Sequence, residues 1–238
     1  MKFRMIGHRG NPSQNPENTI VSFISARKCG VYGIETDIQI TADQKIVIFH
    51  DEDLKRLTGM RGKISDFPLS ELKEINVLDS AQKIPTLEEF LESTGDVTKY
   101  IELKTRNEKA ERINDGLEKR LHEYFKGNYS DNIYFISFDV EAIRKMKEYD
   151  KRYRVGLDIG NETSFIWDSM LKDHIPEFLD LVIPQYDIIK KETRDLEKYA
   201  EKIIPWVINS STDLEKLEEM GIYSFMTDTP CSMKNFIE

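Results

Sequence analysis

The chain is poor in the residues that mark several common classes of protein. It has two cysteines, Cys29 and Cys231, far apart and in no metal-ligand spacing. Two are too few for a disulfide framework, so both read as structural thiols suited to a reducing compartment. No apolar run approaches the roughly 20 residues of a membrane span, and the opening Met1 to His8 is interrupted too soon to read as a signal peptide. Basic residues are the minority: 34 Lys and Arg against 43 Asp and Glu leave a net charge of -9. That balance argues against nucleic acid or an anionic membrane as the main partner. A cytoplasmic protein acting on a small molecule is expected.

What is present is a long alternation. The 238 residues are 39% hydrophobic, enough for a sizeable core. Apolar runs bounded by turn signals predict strands near 3–7, 33–38, 98–103, 132–137, 153–157, 180–184, 204–208 and 222–227. Helical patterns lie between them, the first opening at Asn18-Thr19 and stopping at Gly30, with others over 108–126, 139–149, 163–173, 192–202 and 212–220. Eight such units predict a single α/β domain over 1–238, a (β/α)8 TIM barrel with its site at the C-terminal ends of the strands. Those ends carry His8-Arg9, Asp37, Glu102, Lys104, Ser137, Asp158, Gln185-Tyr186, Trp206 to Asn209 and Thr227-Asp228. The stretch of about 39–97, with a hairpin at 41–49 and short helices near 68–76 and 86–93, reads as a small insertion after the second strand, over the barrel mouth.

Two strands carry charge where a barrel strand is normally apolar. Alternate strand residues share a face. Ile34, Thr36 and Ile38 would pack outward under helices, leaving Glu35 and Asp37 on the inner face, and the same parity sets Glu102 beside Lys104. Burying ionised carboxylates without partners is prohibitive, so the cluster calls for cations, most simply a divalent metal on oxygen ligands.

Of only four histidines, His122 and His174 read as helix-surface residues, whereas His8 closes the first strand and His50 ends the run Ile46 to Phe49. The segments His8-Arg9-Gly10, Pro16-Glu17-Asn18-Thr19, Glu35-Thr36-Asp37 through Asp43, His50-Asp51, Pro85-Thr86-Leu87-Glu88-Glu89 and Ile101-Glu102-Leu103-Lys104 closely resemble the glycerophosphodiester phosphodiesterase family. Beyond residue 104 the likeness is looser, through Ile136-Ser137-Phe138, Trp206 to Asn209 and Met226 to Pro230. The resemblance implies a (β/α)8 barrel that hydrolyses glycerophosphodiesters to glycerol phosphate and an alcohol with a divalent cation. It implies Glu35, Asp37 and Glu102 as metal ligands and His8 and His50 as base and acid. Arg9, Lys104 and Trp206 would bind the substrate. An all-oxygen ligand set favours Mg²⁺ or Ca²⁺ over Zn²⁺.

The chain departs from the family in two places. Gln44 stands where the family's hairpin usually has Gly, at a cost of roughly 1 kcal/mol if the backbone there is left-handed. Trp206-Val207-Ile208-Asn209 replaces the usual Trp-Thr-Val-Asn, so Trp206 reads equally as a substrate contact or a packing aromatic. Capping explains Asn18 without chemistry, Glu17 is open between loop fixation and function, Asp51 reads as orienting His50 or starting the next turn, and Asp228 as a helix cap before Pro230, a structural role being favoured for both. Two rivals remain: a sphingomyelinase D-like phospholipase D that forms a cyclic phosphate, and a non-catalytic barrel that binds metal and phosphodiester. The first lacks its secreted members' signal and disulfides here, and has Cys231 where that group places Trp; the second has no need of two histidines.

Overall fold

In the computed structural model, which describes residues 3–107, 109–172, 174–192 and 194–237, apolar runs and amphipathic segments alternate as strands and helices. The order is β1 (Arg4–Gly7), α1 (Ile20–Lys28), β2 (Gly33–Ile40), β3 (Ile46–Ile48), α2 (Lys55–Thr58), α3 (Leu69–Leu72), α4 (Leu87–Thr94), β4 (Thr98–Leu103), α5 (Leu117–Phe125), β5 (Ile133–Ser137), α6 (Val140–Tyr149), β6 (Arg154–Ile159), α7 (Ser164–Lys172), β7 (Leu181–Pro184), α8 (Tyr186–Ile189), α9 (Ser211–Glu219), β8 (Ser224–Thr227) and α10 (Pro230–Ile237). Parallel pairing runs β7-β6-β5-β4-β2-β1-β8, with β3 antiparallel to β2.

The remaining gap, between β7 and β8, is filled by 203–208. Ile204 N donates to Val182 O at 3.0 Å and Trp206 N to Pro184 O at 3.1 Å, while Ile208 N donates to Met226 O and Met226 N to Pro205 O, both at 2.9 Å. The ring closes, and the fold is the (β/α)8 barrel. The strand expected over 204–208 holds its place in the barrel without forming a regular ladder. Pro205 has no N–H to offer on the β8 side.

Strand parity divides the apolar residues into two layers. Ile34, Ile38, Ile101 and Leu103 point outward and join the helices' Phe23, Leu87 and Phe90 in one cluster. Ile6, Tyr100, Ile136, Leu181, Ile183, Ile204 and Met226 form a second, inside the barrel. Gly33 makes room for it: a Cβ there would lie 2.7 Å from the Tyr100 ring. The inner cluster fills the barrel below the polar rim, so the site has an apolar floor.

Residues 41–85 run across the mouth as β3, α2, a 3-10 turn at Ile64–Asp66 and α3, around their own cluster of Val47, Phe49, Leu54, Leu57, Ile64 and Leu72. α4 then packs on α1, with Phe90 edge-to-face on Phe23 at 4.8 Å between ring centroids. Thr86 caps α4: its hydroxyl accepts from Glu89 N, and Thr86 N donates to the Glu89 carboxylate.

Several expectations are corrected. The helix expected from 108 begins at Leu117, because Asn114 (φ 53°) and Gly116 (φ 89°) are left-handed and the Asn107 side chain binds the backbone of Lys109 and Glu111. The helix expected over 192–202 is a 3-10 turn over Glu197–Lys202. Glu108, Asp173 and Thr193, which fall within expected helices, lie outside the described residues, as do Met1, Lys2 and Glu238. The two cysteines are not separate thiols: barrel closure sets α10 beside α1, and Cys29 and Cys231 form a disulfide with Cα atoms 4.8 Å apart.

Two stability measurements follow. Phe90→Ala, which empties a fully buried ring site, should cost about 3–5 kcal/mol in denaturant unfolding. Gln44 is left-handed, with φ 62°, so Gln44→Gly should not destabilise and should gain up to about 1 kcal/mol. A loss of stability in that variant would show that the Gln44 side chain offsets the strain.

Candidate active site

The loop after β1 is pressed against α1. Gly10 has φ 89°, and a Cβ there would lie 2.9 Å from that of Ser22. Arg9, at φ 53°, is also left-handed without being glycine, a costly conformation that the surroundings must hold. They do so by two contacts: Arg9 N donates to Glu35 Oε2 at 2.9 Å, and Ser22 Oγ to Arg9 O at 3.0 Å. The guanidinium then lies between Glu17, at 2.9 Å, and Asp37, at 3.5 Å.

Glu35, Asp37 and Glu102 face inward from β2 and β4, all buried, each with a carboxylate oxygen within 4.8 Å of the others. Asp37 and Glu102 are register partners. Lys104 Nζ lies 2.9 Å from Glu102 and 3.7 Å from Asp37. Burial, then the charges of Asp37 and Glu102, push Glu35 well above the usual carboxylate range. Burial also raises Glu102, against the pull of Lys104. On Asp37 burial is outweighed by His50, Arg9 and Lys104, so it stays ionised. The buried Asp37 Oδ1 has no hydrogen-bond partner. Three close oxygen donors, two of them held toward the neutral form by burial and then by neighbouring carboxylate charge and one with an orphaned atom, fit a divalent cation.

Both mouth histidines are oriented by carboxylates. His8 Nδ1 lies 2.7 Å from Asp228 Oδ1, and His50 Nδ1 lies 2.8 Å from Asp51 Oδ1. Each contact directs the other ring nitrogen, Nε2, away from its carboxylate partner; that of His8 is 3.9 Å from Glu35. Burial pushes the His8 imidazole below its ordinary value, although the Asp228 hydrogen bond opposes this. Asn209 Nδ2 in turn holds Asp228 at 3.0 Å. Asp51 accepts from Nε and Nη2 of Arg56, at 2.6 and 2.8 Å, and Arg56 also holds Glu17. Gln39 Nε2, on β2, donates to the carbonyls of Phe49 and Asp51, fixing the His50 loop to the barrel.

Asp51 and Asp228 are thus not simple turn and cap residues, and Glu17 links Arg9 to Arg56. Asn18 does not cap α1, which Thr19 does; it donates to Asp37 Oδ2 at 2.7 Å and accepts from Thr36. A carboxylate following a strand-end histidine was the available signal for Asp51. Nothing local marks Asp228, 220 residues from its histidine. Trp206 gives its indole N–H to Ile183 O at 3.0 Å and presents its ring to His8, at 6.2 Å, and to Phe138, at 5.9 Å. It both packs the inner cluster and lines the cavity. His122 stacks on Tyr149, and His174 is exposed; neither joins the site.

The sequence matches the glycerophosphoryl diester phosphodiesterase family over residues 8–232. It is 30% identical to the glycerophosphodiester phosphodiesterase of Caldanaerobacter subterraneus subsp. tengcongensis, covering 100% of this chain and 98% of that one. Among solved structures, the glycerophosphodiester phosphodiesterase of Thermotoga maritima superposes with a TM-score of 0.79 at 28% identity, over 99% of this chain and 98% of that one. A phosphodiesterase of Oleispira antarctica, solved with sn-glycerol-3-phosphate, shares the fold, with a TM-score of 0.81 at 24% identity over 98% of this chain and 96% of that one. With a family match over nearly its whole length and a relative of that identity, the chain belongs to the glycerophosphoryl diester phosphodiesterase family.

Proposed function

We propose that the protein hydrolyses glycerophosphodiesters, the substrates named in its relatives, to glycerol phosphate and an alcohol, within one domain whose excursion over 41–85 caps the mouth. The observation that carries this reading is the pair of carboxylate-oriented histidines beside an acidic triad and two cations. A metal or phosphate binder needs the triad and the cations but has no use for two oriented imidazoles.

Glu35, Asp37 and Glu102 would hold the cation, Mg²⁺ or Ca²⁺ by their all-oxygen chemistry. When bound, it supplies positive charge against a non-bridging phosphate oxygen. Arg9 and Lys104, each beside Asp37, hold the phosphate and offset the charge that grows as the nucleophile adds. His8 accepts the nucleophile's proton at Nε2, Asp228 stabilising the imidazolium that forms. His50, paired with Asp51, delivers a proton to the leaving alkoxide. Trp206 forms the apolar wall against which the substrate lies. A cytoplasmic location is inferred from the acidic, cysteine-poor composition; the Cys29–Cys231 pair is the observation against it, and the redox state of the two in cells is its check.

Product analysis on glycerophosphocholine is the primary test: glycerol phosphate is expected. A cyclic phosphate would favour the phospholipase D-like route, and no turnover the binding barrel. Chelation should abolish activity and an added divalent cation restore it; full turnover by exhaustively chelated enzyme would sink the metal assignment. Glu35→Gln should weaken metal binding strongly in a folded protein, and unaltered affinity would move the metal elsewhere.

The histidine roles separate by leaving group. His50→Ala should lose about 10²- to 10⁴-fold on a choline ester but recover in part on a nitrophenyl phosphodiester, whose leaving group needs no proton. His8→Ala should lose on both. If His8→Ala is instead the variant rescued, the two roles are exchanged.

A further inference from the structure

The two mouth histidines are held in different ways. His8 stays on the sheet: its backbone N–H donates to Thr227 O at 2.9 Å, and its carboxylate partner, Asp228, comes from the other end of the chain. His50 and Asp51 are sequence neighbours that leave β3 together, so their 2.8 Å contact sets the ring against its own loop and leaves its place relative to the triad undetermined. Just before them, Phe49 N donates to Asp37 O at 3.0 Å. Beyond that rung the loop needs another tether.

Gln39 supplies it. This residue is buried and faces inward on β2, two positions beyond Asp37. Its Nε2 donates to Phe49 O at 2.9 Å, to Asp51 O at 2.7 Å and, more weakly, to His50 O at 3.4 Å. Three successive carbonyls thus curl around one amide group, and without a donor at the centre each buried oxygen among them would cost about 1–3 kcal/mol. A further anchor of the loop, Arg56 on Glu17, uses an arginine side chain that is 49% exposed, so water and salt weaken it. The buried amide is the stiffer tether.

The far end of the same amide is also fixed. Gln39 Oε1 accepts from Asn114 Nδ2 at 3.4 Å; that nitrogen donates to Lys104 O at 2.7 Å, and Asn114 Oδ1 accepts from Ile40 N at 3.2 Å. Turning the Gln39 amide over would set its oxygen against three carbonyls and its N–H groups against Asn114 Nδ2. Asn114 itself is left-handed (φ 53°), a conformation Asn tolerates better than most residues. Two amides therefore join three parts of the rim: β2 with its carboxylates, the His50 loop, and the end of β4 that leads to Lys104.

We propose that Gln39, backed by Asn114, is the positioning residue for His50: the amide bridge fixes where the imidazole stands relative to the phosphate held at Lys104, and so the distance over which its proton reaches the leaving oxygen. Neither amide lines the spaces beside His50; each acts through the backbone it holds. A misplacement of about 1 Å in a reacting group can cost on the order of 10²-fold. The inference rests on the phosphodiesterase reading, and one part of its test is independent of turnover.

Gln39→Met keeps the length of the side chain and removes its donor and acceptor. In the Mg²⁺-loaded enzyme, kcat on glycerophosphocholine should fall about 10- to 100-fold, while KM and turnover of a nitrophenyl diester of glycerol phosphate stay within about threefold. In the His50→Ala background the same change should cost nothing further, because the group it positions is gone. Asn114→Gly, which suits the left-handed backbone and should stay folded, should show the same ester selectivity in smaller measure. Imidazole NMR spectra give a reading without turnover: Gln39→Met should move the His50 resonances and leave those of His8 in place. Equal loss on both esters, or a loss that adds to that of His50→Ala, would make the amides supports of the fold or the phosphate site, and unchanged kinetics with unmoved His50 resonances would make the bridge idle; either overturns the proposal. Wild type that cleaves neither diester, with the His50 resonances still moved by Gln39→Met, would instead count against the proposed activity.

Discussion

The interior of this barrel is organised by one electrostatic debt: three carboxylates buried within reach of each other, where mutual repulsion and desolvation both oppose charge. Asp37 is the member held ionised, and the groups that hold it reach in from several elements. Arg9 comes from the loop after β1, Asn18 from the start of α1, Lys104 from the end of β4, and the field of His50 from beyond β3. Each is drawn to the same point because a low-dielectric interior makes an uncompensated charge so costly. In the proposed function a divalent cation would complete the balance.

That demand spreads outward through paired charges. Glu17 bridges Arg9 and Arg56, Arg56 clamps Asp51, and Asp51 sets the ring of His50. The excursion across the mouth is therefore anchored to the site by its charges as well as by its own apolar cluster. On the other side, Asn209 and Asp228 do the same for His8 from the last strands. The two histidines are served by separate arms of the fold.

Much of this was legible in the sequence because strand periodicity is strict. The alternation that places Glu35 and Asp37 inward also places Glu102 and Lys104 inward, and an inward charge has few explanations. Continued along β2 it brings Gln39 to the same face, so Gln39 was readable by the rule that found the triad. Helix boundaries were less so: Asn114 and Gly116 stop α5 short through left-handed backbone, and Asn107 competes through its side chain, effects of one or two residues that periodicity averages away.

The sequence by itself determined the alternation of elements, the closed barrel, the inward carboxylates and the two strand-end histidines, since each is a local pattern whose physical meaning does not depend on distant residues. Only the tertiary structure decided which groups complete them. Closure of the ring brings Asp228 to His8 and Cys231 to Cys29. It also lets 203–208 serve as a barrel wall despite Pro205. These pairings join opposite ends of the chain, and no period within a short window can record a contact formed only when the eighth unit meets the first.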